Sequence, residues 1–187
     1  MRLGPLHRRD RPRLAELLAA TGAFNADEVQ VALSLFDVSL AEAEEKVSSR
    51  RSESAGASSR GSHGSRRDLP EADYEFLGAF DEKSDRLMGY VCFGATPATD
   101  GTYDLYWLAV DPAAQGRGVG TTLVRAVEEK LAGRGARLLV VETSSRPDYE
   151  GTRRFYARSG YSEAARVRDF YAPADDRIVL TTRLTTR

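Results

Sequence analysis

Cysteine is almost absent from this sequence. Cys92 is the only one, so the chain cannot form an internal disulfide. It sits in the apolar run "LMGYVCF" and reads as a small buried hydrophobe. Histidine is scarce too, with two in the chain. That is too few to build the usual four-ligand zinc site, so no metal is expected. An excess of either charge is also lacking. Twenty-seven Lys and Arg face 28 Asp and Glu, for a net charge of −1. Such a balance exerts no general pull on nucleic acid or on an anionic membrane. Long apolar runs are missing as well: none approaches the ~20 residues of a membrane span. The basic opening "MRLGPLHRRDRPRLAELLAA" is interrupted by Glu16 before it reaches the length of a secretory core. These absences point to a cytoplasmic protein with a small-molecule or peptide partner.

What is present suits one domain. The chain has 187 residues and is 41% hydrophobic, enough for a single core over 1–187. Leu14, Leu17 and Leu18 predict a helix over 10–20. A second helix starts at Asn25, whose side chain can accept from the first turn, with Glu28 completing a capping box. Val29, Leu33, Phe36 and Leu40 follow at helical spacing. Val31, Leu35 and Val38 widen that face, which predicts a heavily buried helix. Residues 48–67, "SSRRSESAGASSRGSHGSRR", contain no large apolar side chain. Nothing there offsets an ordering cost of ~1–2 kcal/mol per residue, so the segment reads as a flexible insertion.

After it the pattern changes. "YEFLGAF", "RLMGYVCFGATP" and "TYDLYWLAV" read as three strands. A helix over 119–132 follows, then the apolar strand "RLLVVET". Next comes the helix "RPDYEGTRRFYARSG", ending at Gly160, and a hairpin of "YSEAARVRDFY" and "RIVLTTRL". The order predicts a mixed α/β sheet, antiparallel in its first half. Simple alternation on the third strand places Asp104, Tyr106, Leu108 and Val110 on one face. Leu105, Trp107 and Ala109 fall on the other.

The segment "QGRGVG", 115–120, lies between that strand and a helix. The first N–H groups of a helix have no internal partners, and the helix dipole adds positive charge there, so anions bind. Gly116, Gly118 and Gly120 let a ligand come close, and Arg117 adds a guanidinium. The glycines could equally make only a tight turn. A nucleotide P-loop needs Lys-Ser or Lys-Thr after the last glycine, whereas Thr121 and Thr122 stand there. A dinucleotide fingerprint needs G-x-G-x-x-G, and this stretch is G-x-G-x-G.

"VDPAAQGRGVGTTLVRAVEEKL" resembles the acyl-CoA-binding signature of the GNAT acyltransferase superfamily, Gln/Arg-x-x-Gly-x-Gly/Ala. Gln115, Gly118 and Gly120 occupy its fixed positions. "TRRFYARSGYSE" resembles the second hallmark, a Phe-Tyr helix followed by Gly-Phe/Tyr, and "LLVVET" separates the two in the usual order. The likeness covers 74–184, and the 48–67 insertion departs from it. It implies the GNAT fold, with a mostly antiparallel sheet whose two central strands splay apart and flanking helices. It implies acetyl-CoA as co-substrate, with pantetheine in the gap. Pyrophosphate would rest on the backbone of Gln115, Gly116, Arg117, Gly118, Val119, Gly120 and Thr121. The backbone near Leu108 and Val110 would pair with the pantetheine amides. Tyr156 matches the tyrosine that can protonate the departing thiolate, and Asp104 matches the place where some members carry a glutamate base.

Direct acyl transfer to an amine needs an acceptor for the amine proton and a stabilised oxyanion. Three readings of the base stand: Asp104, Glu142 at the end of "LLVVET", or a water relay alone. A buried Glu142 would need a partner or a role in the site. Tyr149 and Arg153 share a helix face with Tyr156. "RDFYAPADDR", 168–177, joins the last two strands, and with Tyr106 its Asp169 and Tyr171 are candidate acceptor contacts, as are Thr143 and Ser144. Asp175 and Asp176 add to its acidity, which suggests a cationic amine. A plain polar hairpin turning at Pro173 is the competing reading. The resemblance points to an N-acetyltransferase acting on a primary amine. An acyl-CoA-binding regulatory domain without turnover is the alternative, and a homodimer is the default quaternary expectation.

Overall fold

The computed structural model describes residues 1–55 and 74–185. Its sheet has seven strands in the order β1-β2-β3-β4-β5-β7-β6. They are β1 (Arg2–Gly4), β2 (Glu75–Phe80), β3 (Leu87–Ala95), β4 (Thr102–Val110), β5 (Leu138–Ser144), β6 (Ser162–Ala172) and β7 (Asp175–Arg183). Every neighbouring pair is antiparallel except β4 with β5. The helices are α1 (Arg11–Thr21), α2 (Ala26–Ala55), α3 (Val119–Ala132) and α4 (Glu150–Arg158). This is the expected mixed, mostly antiparallel architecture. Strand β1 has three residues, too few for any periodic signal, and it caps the sheet edge beyond β2. Among the described residues no helix is long and apolar enough to cross a membrane.

Each face of the sheet has its own core. On one, Leu123, Val124, Val127 and Leu131 of α3 pack on Val91, Phe93, Leu105, Leu139 and Val141. On the other, Leu14, Leu17 and Leu18 of α1 and Leu33 and Phe36 of α2 pack on Phe80, Tyr90, Cys92 and Ala109. Alternate residues of β3 thus feed opposite cores. Cys92 is fully buried, and burial pushes its thiol far above the usual range.

The Asn25 capping box forms as expected. The Glu28 N–H donates to Asn25 Oδ1 at 2.9 Å, and the Asn25 N–H donates to Glu28 Oε2 at 2.8 Å. The breadth of the buried face on α2 is corrected, however. Val31 and Val38 are 50% and 48% exposed. Only one sheet face lies under the helix, so the stripe of Ala32, Leu33 and Phe36 is covered, Leu35 is half-buried, and Val31 and Val38 are left to solvent. The helix also runs through Ala55, past the compositional break at 48. The remainder of the 48–67 insertion, 56–67, lies outside the described residues.

Strand β4 departs from simple alternation. Its partners on β3 step from Cys92↔Trp107 to Phe93↔Leu105, so Tyr106 is an extra residue. This β-bulge reverses the faces on either side of it. Leu105 joins Leu108 and Val110 on the α3 side, whereas Tyr106 joins Trp107 and Ala109 on the α1/α2 side.

Candidate functional site

The bulge opens a gap in the sheet. Pairing of β4 with β5 stops at Leu105↔Val141, although the strands run on to Val110 and Ser144. The Asp111 N–H donates to the Met88 carbonyl, on the β3 side, at 2.8 Å. Alternation therefore turns the N–H and C=O of Leu108 and Val110 toward the other edge, into the gap. Gln115 Nε2 donates to the Val110 carbonyl from there at 3.4 Å. Burial elsewhere pairs such groups within the sheet; here the Leu108 peptide groups and the Val110 N–H are left for another partner, and the Val110 carbonyl is met by Gln115.

The loop after β4 stands at the mouth of this gap. Asp111 caps a short 3-10 turn, Pro112–Ala114, by accepting from the Ala113 N–H. Gly116 and Gly118 then take φ of +71° and +80°, a region that side chains resist. Nothing crowds either Cα, so conformation rather than space requires glycine there. Gly120 differs: a Cβ there would meet the Phe155 ring at 3.4 Å, an ordinary contact distance that places the start of α3 against α4. The first intrahelical bond runs from the Thr122 N–H to the Gly118 carbonyl. The N–H groups of Val119, Gly120 and Thr121 have no helical acceptor, and Gly118, the N-cap, supplies no side chain. Beside them a cleft of about 180 Å³ is lined by Thr121, Arg125, Glu128, Phe155, Arg158 and Ser159.

The catalytic candidates divide between the two faces. Tyr156 is 3% exposed and belongs to the α3/α4 core with Val141. Its ring meets Phe155 and Tyr161 edge-on at 5.0 and 5.2 Å, and burial raises its phenol. Asp104 pairs across from Val140 and accepts from Thr96 Oγ1 at 2.7 Å. Val141 faces α3, so Val140 and Glu142 face the other way, as do Asp104 and Tyr106. Burial, then Asp104, pushes the Tyr106 phenol up to about 12, and its ring meets Tyr74 at 5.0 Å.

Glu142 is not buried, which corrects one premise of its assignment. Its side chain is 38% exposed and ion-paired with Arg177 of β7. The sheet has already parted there, so water reaches it. Arg177 stands 4.8 Å over the Phe170 ring, and its Nε is buried with no partner among the described residues.

The 168–177 connection is also shorter than its sequence suggested. Both strands extend into it, so Pro173 and Ala174 alone make the turn. Asp169, at φ +51°, accepts from the Ala174 N–H at 2.7 Å, and its own N–H donates to Asp176 Oδ1 at 3.1 Å. That N–H holds the Asp176 carboxyl below its ordinary range, with Arg166 assisting. The Asp169 carboxylate thus closes the hairpin tip. Tyr171 is half exposed. The Ser145 N–H donates to the Asp176 carbonyl at 2.9 Å, which sets the tip at the open end of the gap.

The remaining polar candidates are mostly engaged. Ser144 Oγ donates to Asp175 and accepts from the Arg146 N–H. Arg153 Nη1 donates to the Ser144 and Arg146 carbonyls at 2.6 and 2.9 Å. Tyr149 OH donates to the Ala23 carbonyl at 2.9 Å. Thr143 Oγ1, by contrast, is buried and has no partner among the described residues. Three residues of this region were missed from sequence: Arg125, Arg158 and Arg177. Each is an ordinary surface arginine until folding brings it to the cleft or to Glu142.

A model described as the acetyltransferase (GNAT) family matches residues 43–161. A GNAT-family protein from Desulfovibrio desulfuricans is 32% identical, with TM-score 0.78, over 98% of this chain and 99% of that one. The ribosomal-protein-S18-alanine N-acetyltransferase of Escherichia coli is 16% identical, with TM-score 0.65, over 100% and 95%. An aminoglycoside 6'-N-acetyltransferase complexed with coenzyme A is 18% identical, with TM-score 0.62, over 100% and 99%. At those identities the last two show the fold alone. No curated protein matches the chain.

Proposed function

This chain belongs to the acetyltransferase (GNAT) family and is an acetyl-CoA-dependent N-acyltransferase, and from that premise we propose that its acceptor is a cationic primary amine attacking the thioester directly. The parting of β4 from β5 after Leu105↔Val141 supports direct attack, and the carboxylates of Asp104 and Glu142 beside it support a cationic acceptor. The parting leaves a passage between the two faces of the sheet. Acetyl-CoA enters from the α3/α4 face, with its pyrophosphate on the N–H groups of 115–121 and its pantetheine along Leu108 and Val110. Arg125 and Arg158 take the phosphate at the adenosine end. Thr143 Oγ1, buried on that side, donates to the amide-bearing tail.

The amine approaches from the α1/α2 face, where Asp104, Tyr106 and Glu142 stand. A protonated amine has no lone pair, so its proton must leave first. Asp104 accepts it through water, because a short carboxylate held by Thr96 reaches less far than a glutamate. Glu142 shares Arg177 and orients the cationic acceptor, and Tyr171 supplies an aromatic rim. As nitrogen bonds to the carbonyl carbon, the oxyanion is met by the Val110 N–H. Collapse breaks the C–S bond; Tyr156 gives the thiolate its proton, and the proton that the acylated nitrogen sheds returns through water to the Tyr156 phenolate. Burial raises the phenol, which keeps Tyr156 protonated and able to donate.

Thiol release with a panel of amines tests the acceptor class. Diamines and cationic amino compounds should turn over at least tenfold faster, by kcat/KM, than uncharged amines of the same size. Equal rates would remove the case for a cationic acceptor.

A further inference from the structure

The pyrophosphate loop is anchored from the opposite face of the sheet. Asp111, the residue after β4, is 9% exposed. One of its carboxylate oxygens accepts from the Ala113 N–H at 2.9 Å and so shapes the turn that delivers Gln115 and Gly116. The other accepts from Arg13 Nη2 of α1. Arg13 Nε donates to the Leu87 carbonyl at the start of β3 at 3.2 Å, and Nη1 reaches Glu16 at 3.2 Å. The Arg13 side chain is 18% exposed. Arg86 also approaches Asp111, at 3.4 Å, but its side chain is 61% exposed. The Ala113 N–H, then Arg13, hold the Asp111 carboxyl below its ordinary range against the cost of burial. A carboxylate this enclosed needs its counter-charge.

We propose that Arg13 is a positioning residue for acetyl-CoA: by fastening Asp111 to α1 and β3 it fixes the turn that aims the pyrophosphate-binding N–H groups. The proposal rests on the loop's role as the donor site. Its geometry has one consequence that packing alone lacks. Without Arg13, Asp111 turns toward Arg86 and solvent, and its hold on the Ala113 N–H loosens. The loop's donors then lose their common aim, although no atom touching the ligand has been removed. Arg13 also belongs to the helix pair that roofs the acceptor face, so the donor loop is braced by the acceptor side.

Acetyl-CoA binding measured by titration calorimetry on the full chain tests this, with melting curves on each variant. Arg13→Gln should weaken acetyl-CoA about 10- to 100-fold, as a misplaced binding group does. Arg13→Lys should recover part of the loss, since a lysine keeps the charge opposite Asp111 but not the second bond to Leu87. Asp111→Asn should match Arg13→Gln, and the double variant should be no worse than either. Arg11→Gln is the control: it breaks another α1 ion pair, the more exposed one with Asp37 at 2.8 Å, away from the loop. It should lower melting temperature and leave acetyl-CoA affinity unchanged. Wild-type affinity in folded Arg13→Gln, or an equal loss in Arg11→Gln, overturns the proposal. Failure of the wild-type protein to bind acetyl-CoA at all would instead overturn the donor site, and the proposal with it.

Discussion

The two faces of the sheet are built by different means. On the α3/α4 face, the parts assigned to acetyl-CoA are mostly backbone: the outward peptides of Leu108 and Val110, and the free N–H groups at the start of α3. On the α1/α2 face the parts assigned to the amine are side chains: Asp104, Tyr106 and Glu142, with Tyr171 at the rim. Backbone donors suit a ligand that is always the same. Side chains at the ends of strands can be exchanged without disturbing the fold, so they are where specificity resides. The contrast predicts that substitutions on one face change donor affinity, whereas those on the other change acceptor choice.

The largest effect is expected from Tyr156→Phe. Loss of the thiolate's acid should lower kcat about 100-fold or more, while acetyl-CoA affinity by calorimetry changes less than about twofold. A full-rate variant would remove Tyr156 from the chemistry. Next is Gly118→Val. A branched side chain at φ +80° costs about 1–3 kcal/mol of backbone strain. It should weaken acetyl-CoA at least tenfold, with the KM of the amine little altered. Glu142→Gln reverses that pattern: kcat/KM for a cationic amine should fall about tenfold, the scale of a lost charge pair, with acetyl-CoA affinity intact. If Glu142→Gln weakens acetyl-CoA instead, the division between faces fails.

Smaller still is a pH effect on stability. Burial raises the Glu128 carboxyl above its ordinary 4.5, although Tyr161 OH donates to it at 2.9 Å. The folded state therefore holds this proton more tightly than the unfolded chain. Its contribution is present at low pH and lost as pH rises from about 4.5 through the raised folded value. Glu128→Gln should flatten that part of the melting-temperature profile, and an unchanged slope would count against the assignment. Val31→Ser should do least, within about 0.5 kcal/mol by denaturant melts, because the side chain is half exposed.

Sequence was most informative where chemistry follows local order. The loop 115–120, helix 119–132 and the strand after it stand where their patterns place them, because capping, glycine conformation and apolar period act within a few residues. The bulge at Tyr106 was hidden, since the extra residue exists only relative to β3. Alternation counted along β4 alone assigns Leu105 to the wrong face for the same reason. The partner of Glu142 was equally out of reach, as Arg177 arrives by strand pairing 35 residues later in the chain. The breadth of the α2 face misled because periodicity counts apolar residues but not what lies opposite them. That Asp169 also closes the hairpin turn, by accepting from the Ala174 N–H, is invisible in composition because it depends on the paired strands around it.

Hydrogen exchange with and without acetyl-CoA tests the central claim most directly, because that claim concerns backbone N–H groups. The ligand should slow exchange at 108–121, chiefly at Gln115–Thr121 and Val110, and leave the hairpin 162–176 unchanged. Protection on the hairpin or on α2, with none at 115–121, would contradict the assignment of the donor to the α3/α4 face.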